Sequence, residues 1–234
     1  PAPPTDIHAF AIRPTDNKMY AAYSSPAQTL FYRISSTFGD IEEAGSIPLG
    51  GITAMTFSRG GTLYLADDKG RLYRTHGIGV DTSLVGVSGF VFTGLAFSPS
   101  TGALWASTRD SMFTVDTLSA LATFIGSSHF GASRSSITFS RPPVALYGLY
   151  DYGLGAVDRV TGGASIIGAT GVPGLRAIVM RNDITGTVDE SAGTIPHEWR
   201  LYQNYPNPFN PTTKIGFTIH ASGFATLRVY DILG

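Results

Sequence analysis

Cysteine is absent from the 234-residue sequence, which excludes disulfide bonds, thiolate metal sites and a cysteine nucleophile. Charge is also scarce, since 14% of the residues are charged and the formal net charge is −1. This composition gives no electrostatic basis for binding nucleic acid or an anionic membrane. No apolar run approaches the roughly 18 residues that a membrane-spanning helix requires. We therefore predict a fold held by its hydrophobic core, with no nucleic-acid partner and no membrane span.

An N-terminal signal peptide and catalytic motifs are missing as well. The sequence begins P-A-P-P, without the basic and apolar segments of a signal peptide, so we expect an N-terminus that is processed or missing. The five histidines, at positions 8, 76, 129, 197 and 220, do not cluster at metal-ligand spacing. No H-E-x-x-H motif and no G-x-S-x-G elbow occurs. We therefore predict no metal, no cofactor and no catalytic residue.

A repeat of about 40 residues organises most of the chain. The segments AIRPTDNKMYAA, TFSRGGTLYLAD, AFSPSTGALWAS and TFSRPPVALYGL align with one another. Their first shared apolar position recurs at spacings of 45, 40 and 42 residues, at Ile12, Phe57, Phe97 and Phe139. A second shared position follows about eight residues later, at Tyr20, Tyr64, Trp105 and Tyr147. Because these side chains recur in phase, we interpret them as core.

Each repeat contains four short β-like runs, the last of which reads EAGSIP, SLVGVS, ATFIGS or SIIGAT. Four strands in about 40 residues is the size of a β-propeller blade. The apolar residues alternate with a period of two, which argues against a helical solenoid. We predict an all-β propeller, with a β-sandwich or two small β-domains as alternatives. The repeats also resemble those of secreted bacterial propellers, L-Y-x-x-D-x-x-T-G-x-x-x-x-I-G, a generic resemblance that implies no particular function.

The repeat also predicts how the chain is divided. Residues 1–6 are a linker or a truncated N-terminus, and four blades occupy about 7–50, 51–89, 90–130 and 131–174. Residues 175–180 begin a fifth blade with a single innermost strand. We expect residues upstream of this sequence to supply the other strands of that blade. The polar stretch 181–200 has the composition of a linker.

A propeller usually binds ligands on the face where the turns between second and third strands meet the connections between blades. The predicted turns are residues 23–26, 67–70, 108–110 and 150–152, and the connections include 89–92, 129–134 and 171–176. The candidate ligand-face residues are Asp67, Asp68, Arg109, Asp110, His129, Arg134, Tyr150, Asp151, Tyr152 and Arg176. These carboxylates, cations and tyrosines would suit a sugar or a peptide. Ordinary solvated turns are the alternative interpretation.

The innermost strands read ITAMTFS, TGLAFS and SSITFS, so Thr, Ala and Ser would face the central channel. A metal-dependent propeller hydrolase would carry carboxylates there. This difference disfavours an enzyme without excluding one.

The last segment, residues 201–234, has a different character. Three prolines within six residues exclude a helix, and two alternating runs typical of half-buried strands follow. The motif YPNPFNP, followed by TTKI, FTI and L-x-V-Y-D-x-L-G, resembles the type A C-terminal sorting domain of the bacterial type IX secretion system. The residues that carry this sorting signal are Asn204, Tyr205, Pro206, Asn207, Pro208, Phe209, Asn210 and Pro211. A proline-rich hinge into a small β-domain is the alternative.

The resemblance implies a partial Ig-like β-sandwich that the type IX secretion machinery recognises as a partner. It also implies a protein that is secreted or held on the outer surface of a Gram-negative bacterium. His220 stands where such domains commonly carry a proline, and Gly234 falls about halfway through the expected sandwich. We therefore expect the chain to be truncated.

Three functions remain open from the sequence. The leading hypothesis is a non-catalytic propeller that binds an extracellular glycan or protein. The second is an exported hydrolase or lyase with part of its catalytic domain missing. The third is a structural or adhesion module of a larger surface protein.

Overall fold

The computed structural model describes residues 7–35, 40–79, 81–128, 136–140, 144–150, 153–170, 177–180, 200–201, 203–204, 208, 211–214 and 217–218. The chain divides into two compact units, Pro1–Asp183 and Ile184–Gly234. All regular elements in the described residues are β-strands. Within those residues, no helix has the length and apolar character needed to cross a membrane.

The first unit contains four antiparallel sheets of four strands, which we call blades 1 to 4. Blade 1 comprises β1 (Ala9–Arg13), β2 (Lys18–Ser24), β3 (Thr29–Ile34) and β4 (Ile41–Ile47). Blade 2 comprises β5 (Ile52–Phe57), β6 (Leu63–Asp67), β7 (Arg71–Thr75) and β8 (Thr82–Val87). Blade 3 comprises β9 (Gly94–Phe97), β10 (Leu104–Ser107), β11 (Ser111–Val115) and β12 (Ala122–Ser127). Blade 4 comprises β13 (Ser136–Phe139), β14 (Leu146–Tyr150), β15 (Gly153–Val157) and β16 (Ala164–Ala169). Strands pair in chain order in every blade, as successive hairpins.

The first strand of each blade is the innermost. β5 packs against β1 on one side and β9 on the other, and β9 packs in turn against β13. The fourth strands lie on the outside, where β8, β12 and β16 are largely exposed. No comparable packing joins β13 back to β1 within the described strands, so blades 1 to 4 form an open series.

The hydrophobic core lies between consecutive blades, in three clusters that each combine residues of two neighbours. Within it, an aromatic residue on the second strand of one blade contacts a phenylalanine on the first strand of the next. These pairs are Tyr20–Phe57, Tyr64–Phe97 and Trp105–Phe139, with ring centroids 5.6, 5.2 and 6.0 Å apart. The interpretation of the in-phase aromatic residues as core is therefore confirmed for these pairs, and their partners belong to adjacent blades.

A β-bulge interrupts the pairing of the third and fourth strands in every blade. The extra residues are Ala44, Val85, Ile125 and Ile167, and a glycine follows each of them. We call Gly45, Gly86, Gly126 and Gly168 the bulge glycines. A bulge bends its strand and increases the local twist, so the same bend recurs on every outer strand.

The bulge glycines make room for the next blade. A Cβ on Gly86 would overlap the carbonyl oxygen of Ser119, and a Cβ on Gly126 would overlap that of Thr161. Gly45 has a looser contact, since a Cβ there would lie 3.3 Å from Ile78 Cγ2 and 3.5 Å from Gly79 Cα. The turn between the third and fourth strands of blades 2, 3 and 4 thus packs on the bulge glycine of the preceding blade. At Gly86 and Gly126 the approach is so close that only glycine permits it.

Residues 177–180 lie beside β13, on the side where a further innermost strand would stand. The amide of Ile178 donates to Ser136 Oγ at 3.2 Å, and Ser136 Oγ donates to the Ile178 carbonyl at 3.4 Å. The amide of Met180 donates to Thr138 Oγ1 at 3.0 Å. These bonds use side-chain hydroxyls, and residues 177–180 form no backbone ladder with the described strands. Residues 175–176 lie outside the described residues, so the predicted innermost strand 175–180 of a fifth blade stays a prediction.

The second unit has one described sheet, in which β17 (Arg200–Leu201) pairs antiparallel with β18 (Phe217–Thr218). Within the predicted sorting signal, Asn204 Nδ2 donates to Thr213 Oγ1 at 3.1 Å, and Pro208 and Pro211 are exposed. The other signal residues lie outside the described residues: Tyr205, Pro206, Asn207, Phe209 and Asn210. The predicted Ig-like sandwich stays a prediction.

Candidate functional site

The turns between second and third strands and the connections between blades meet on one face, which we call the ligand face. The amide of Gly51 donates to the Ser25 carbonyl at 3.2 Å, and the amide of Asp68 donates to the Gly51 carbonyl at 2.8 Å. The amide of Ser88 donates to the Gly70 carbonyl at 2.7 Å. Connections and turns are therefore held together by backbone hydrogen bonds, which fix the position of side chains on this face.

Asp67, one of the predicted ligand residues, is fully buried at the end of β6. Its Oδ1 accepts the amides of Lys69 at 3.0 Å and Arg71 at 2.9 Å. Its Oδ2 lies 2.7 Å from Nε and 2.6 Å from Nη2 of Arg71. Protein donors thus occupy this carboxylate, and its observed role is to fix the turn and the start of β7.

Arg71 completes this structural group. The hydrogen bond that Arg71 donates to Asp67 raises the pKa of Arg71 above its usual value, and the guanidinium lies 5.4 Å from the ring centre of Tyr73. The Tyr73 hydroxyl lies 3.4 Å from Asp67 Oδ2. Burial, the largest cause, raises the pKa of Tyr73. The three side chains form a partly buried network beneath the ligand face.

Asp68 and Lys69 form the exposed tip of the same turn. The turn closes through Gly70, whose φ of 73° lies in the left-handed region that favours glycine. A Cβ on Gly70 would also press on the backbone of Phe90. Glycine at this position therefore lets the next connection lie directly against the turn.

That connection, residues 88–93, carries an exposed apolar pair. Ser88 Oγ donates to the carbonyls of Gly70 at 2.9 Å and Phe90 at 3.0 Å, and it lies 3.2 Å from the Phe90 amide. The serine thus holds the loop in a fixed shape. Phe90 is 42% exposed and Val91 is 44% exposed, whereas the next residue, Phe92, is 1% exposed.

Aromatic rings support Phe90 from below. Its ring centroid lies 4.5 Å from that of Phe113 and 6.4 Å from that of Phe92. Phe113 is buried and contacts Phe124, which emerges on the outer strand β12. Phe90 is therefore the exposed end of a packed aromatic group, a supported position of the kind found at apolar binding sites.

The turn between β10 and β11 places Arg109 and Asp110 at its exposed tip. The Asp110 carbonyl accepts the amide of Ser128 at 2.8 Å, as the Gly70 carbonyl does from Ser88 in blade 2. Ser128 Oγ is buried and has no hydrogen-bond partner among the described residues. An unsatisfied buried hydroxyl is uncommon and indicates a position where water or a ligand group could bind.

Of the other predicted residues, only Tyr150 is described. It is half-buried at the end of β14, and its hydroxyl lies against Gly153. The remaining candidates lie outside the described residues: His129, Arg134, Asp151, Tyr152 and Arg176. The described turns and connections of the ligand face carry Asp68, Lys69, Phe90, Val91, Arg109 and Asp110.

Hydroxyl groups on the innermost strands and the residues just before them are engaged within the protein. Thr53 Oγ1 donates to the Phe92 carbonyl at 2.6 Å and to the Ala66 carbonyl at 3.3 Å. Thr93 Oγ1 donates to the Ser107 carbonyl at 3.3 Å. No group of three or more potential metal ligands occurs in the part of the chain that the structure describes. The described face can bind by apolar contact and hydrogen bonds.

Phe90 and Val91 are not among the ligand-face residues predicted from the sequence. Both lie in a predicted connection, but the predicted residues are charged residues, a histidine and tyrosines. A usable signal was present: GFVF places apolar residues directly after a glycine, outside the recurring core positions. An aromatic residue out of phase with a repeat has no core position reserved for it.

Comparison with known proteins addresses the fold. No known protein family and no curated protein matches the chain. Among solved structures, one described as a nidogen/laminin complex superposes with a TM-score of 0.58 at 15% identity, covering 75% of this chain and 69% of that one. Two auxiliary nutrient-binding proteins also match, with TM-scores of 0.52 for the one from Bacteroides ovatus and 0.53 for the one from Bacteroides thetaiotaomicron.

The fold is a β-propeller. The two Bacteroides proteins share 14% and 12% identity with this chain and cover 72% and 71% of it. The matched region spans only 44% and 48% of those two proteins. At such identities the likeness extends to the fold alone, and the four sheets are blades of a propeller, as the repeat predicted.

Proposed function

We propose that this propeller is a non-catalytic binding module for an extracellular ligand, with a glycan as the favoured class. The observation that carries the proposal is the exposed pair Phe90 and Val91 on the ligand face, at 42% and 44% exposure. The apolar faces of sugar rings pack well on an exposed aromatic ring. Because Ser88 and the rings of Phe92 and Phe113 fix the pair, little conformational entropy is lost when a ligand binds.

Polar groups in the turns of the same face would supply the second part of a glycan site. The turns of blades 2 and 3 carry exposed Asp68 and Lys69, and Arg109 and Asp110. Carboxylates accept hydrogen bonds from sugar hydroxyls, and guanidinium groups donate hydrogen bonds to them, in both cases in defined directions. An apolar platform with a few charged groups at its edge is the usual composition of a small-molecule site.

The relatives in fold are compatible with this role. Two of them are described as auxiliary nutrient-binding proteins from Bacteroides species. At 14% and 12% identity, the ligand of this chain cannot be assigned from the ligands of those two proteins. They serve as precedents for a binding protein that contains this fold.

A glycan array probed with the full chain tests the proposal, followed by calorimetric titration of the best saccharide. We expect Phe90→Ala to weaken binding about tenfold or more, since burying a phenylalanine side chain contributes about 1.5–3 kcal/mol. Leu118→Ala is the matched control, because Leu118 is 79% exposed in the turn between β11 and β12, which is not one of the turns that form the ligand face. We expect this control to bind within about twofold of wild type.

Two outcomes would contradict the proposal. One is equal affinity of the Phe90→Ala and wild-type proteins for the saccharide. The other is the absence of any bound glycan on the array. A protein ligand captured with the same dependence on Phe90 would retain the binding role and change the ligand class.

We propose further that the chain reaches the outside through the type IX secretion system, with residues 201–234 as the start of its sorting domain. The motif YPNPFNP carries this proposal. A reporter fused to a completed version of the segment from Leu201 onward, in a bacterium with this secretion system, should appear in the medium or on the cell surface. Retention of the reporter inside the cell envelope would overturn it.

A further inference from the structure

Three phenylalanines form a row along one side of blade 3. The ring centroid of Phe113 lies 4.5 Å from that of Phe90 and 5.6 Å from that of Phe124. Phe113 is buried, whereas Phe90 is 42% exposed and Phe124 is 58% exposed. We call these three residues the aromatic row. The row joins an exposed ring on the ligand face to an exposed ring on the outer strand β12.

The aromatic row borders the joint between blades 2 and 3. Phe113 belongs to the core cluster that these two blades share. Phe124 stands directly opposite Phe113 in the β11–β12 pair, so both side chains lie on the blade 2 side. Phe90 comes from the connection between the same two blades, and its backbone lies against Gly70 of blade 2. The row therefore extends the ligand face outward along a single joint.

The other described parts of the repeat lack such a row. Gly50 lies against the turn of blade 1, at the place where Phe90 lies against the turn of blade 2. Leu84 and Ile166 hold the position of Phe124 on the outer strands of blades 2 and 4, each just before the bulge. A core element would recur in every unit. The two exposed rings are thus specific to one joint, which indicates a role other than packing of the repeat.

Hydroxyl groups accompany the exposed ring on β12. Ser111 precedes Phe113 by two residues on β11, so its side chain lies on the same side of blade 3. Ser127 stands opposite Ser111 on β12 and is exposed. The side of blade 3 that carries Phe124 therefore has two hydroxyls at its ligand-face end. Aromatic rings that take apolar faces and hydroxyls that form hydrogen bonds suit a chain of sugars.

One sugar ring cannot stack on both exposed phenylalanines. The ring plane of Phe113 is inclined by 39° to that of Phe90 and by 68° to that of Phe124. The planes of Phe90 and Phe124 therefore differ by at least 29°, the difference between these two angles. A flat ligand ring can lie parallel to only one of them. A ligand that covers both must contain two ring units that can turn relative to each other, as units joined by a glycosidic bond do.

Given the glycan binding proposed above, on which this inference rests, we propose that the ligand is a linear oligosaccharide that extends over the aromatic row. One sugar unit packs on Phe90, and a later unit packs on Phe124. Ser111 and Ser127 supply hydrogen-bonding groups beside the later unit. Phe124 is therefore a specificity-determining residue that adds affinity only for ligands longer than one sugar unit.

The test is calorimetric titration of the full chain with fragments of increasing length, from one sugar unit upward, of the saccharide that the array selects. We expect the affinity of wild type to rise about tenfold or more with length, because the longer fragments cover a second phenylalanine ring. Phe124→Ala should remove this rise, yet it should bind the single sugar unit within about twofold of wild type. Phe90→Ala should weaken the binding of every fragment.

A second variant and a matched control separate stacking from packing. Phe124→Leu places at this position the residue that blade 2 already carries there, so it keeps apolar contact with Phe113 but has no flat ring. It should lose the rise with length, as Phe124→Ala does. Leu84→Ala is the control, because Leu84 is 55% exposed at the same position of β8. It should keep the rise with length.

The outcomes distinguish this inference from the function on which it rests. If the affinity of wild type depends on Phe90 but does not rise with length, glycan binding is retained and the oligosaccharide proposal is overturned. A rise that survives in both Phe124 variants, or that is lost equally in Leu84→Ala, overturns it as well. The absence of any bound saccharide overturns both.

Discussion

The carbonyl oxygen of Thr161 occupies the space where Gly126 would carry a Cβ. Gly126 lies on the outer strand of blade 3, and Thr161 lies in a turn of blade 4. This one contact therefore joins two blades through backbone atoms alone. It recurs between Ser119 and Gly86 one blade earlier.

Gly126→Ala should destabilise the propeller by about 3 kcal/mol, because the added methyl group must push the two blades apart. The unfolding midpoint in guanidinium chloride measures the effect. Gly168→Ala is the control, since the same repeat position has open space there, and it should change stability by no more than about 0.5 kcal/mol. Equal losses in the two variants would show that the glycine matters for a reason other than the blade contact.

Asp67→Asn should destabilise the protein by more than about 1 kcal/mol, because the buried carboxylate of Asp67 loses the charge-assisted hydrogen bonds that the partly exposed Arg71 donates to it. Thermal and denaturant unfolding measure the loss. Asp68→Asn, one residue further on and exposed, should stay within about 0.5 kcal/mol of wild type. If Asp67→Asn left the stability unchanged, the backbone hydrogen bonds alone would hold the turn.

Stability should fall as the solution becomes more acidic than about pH 4. Hydrogen bonds from Arg13 lower the pKa of Asp16 to about 2, and amide hydrogen bonds lower the pKa values of Asp116 and Asp158. A carboxyl group whose pKa is lower in the folded state contributes stability above its unfolded pKa of about 3.9. That contribution is lost as the pH falls through the folded pKa.

The measurement for this pH dependence is the unfolding midpoint at pH 5, 4, 3 and 2 (about one unit apart). A variant with Asp16, Asp116 and Asp158 all replaced by Asn should lose less stability between pH 5 and pH 2 than wild type. Parallel curves for the two proteins would mean that other carboxyl groups cause the acid sensitivity.

Thr138→Val should release Met180, because the Met180 amide donates to the Thr138 hydroxyl at 3.0 Å. Hydrogen exchange at this amide should accelerate, while exchange in the β13–β14 ladder stays the same. Thr114→Val, at a half-buried position on β11, serves as a control for the substitution itself. Unchanged exchange at Met180 in the Thr138 variant would contradict a role for this hydroxyl.

The blades could be predicted because their signal is periodic. Phe57, Tyr64 and Trp105 recur in phase, and phase alone identifies core positions and strands. Phase does not identify the partner of a core residue. That Tyr64 packs on Phe97 of the next blade depends on the twist and spacing of sheets, which no local pattern encodes.

The candidate site was harder to predict for two physical reasons. Asp67 and Asp68 look alike in sequence, yet one carboxylate is buried under Arg71 and the other is exposed. Whether a turn carboxylate points inward depends on a cation four residues later and on how tightly the strand ends pack. Phe90 lies in a predicted connection, but its exposure depends on the geometry of that loop, since its neighbour Phe92 in the same loop is buried.

The repeated bulge glycine gives the joint between blades 2 and 3 the same contact as the joint between blades 3 and 4. The carbonyl oxygen of Ser119 packs on Gly86 as that of Thr161 packs on Gly126. An in-frame deletion of residues 90–129 would therefore place Thr161 against Gly86, in the same kind of contact. A gene for this chain can gain or lose about 40 codons at a time by unequal recombination. Each product then keeps a contact between neighbouring blades that the parent protein already contained. The number of blades is thus free to change during evolution, while the fit between any two neighbours is not.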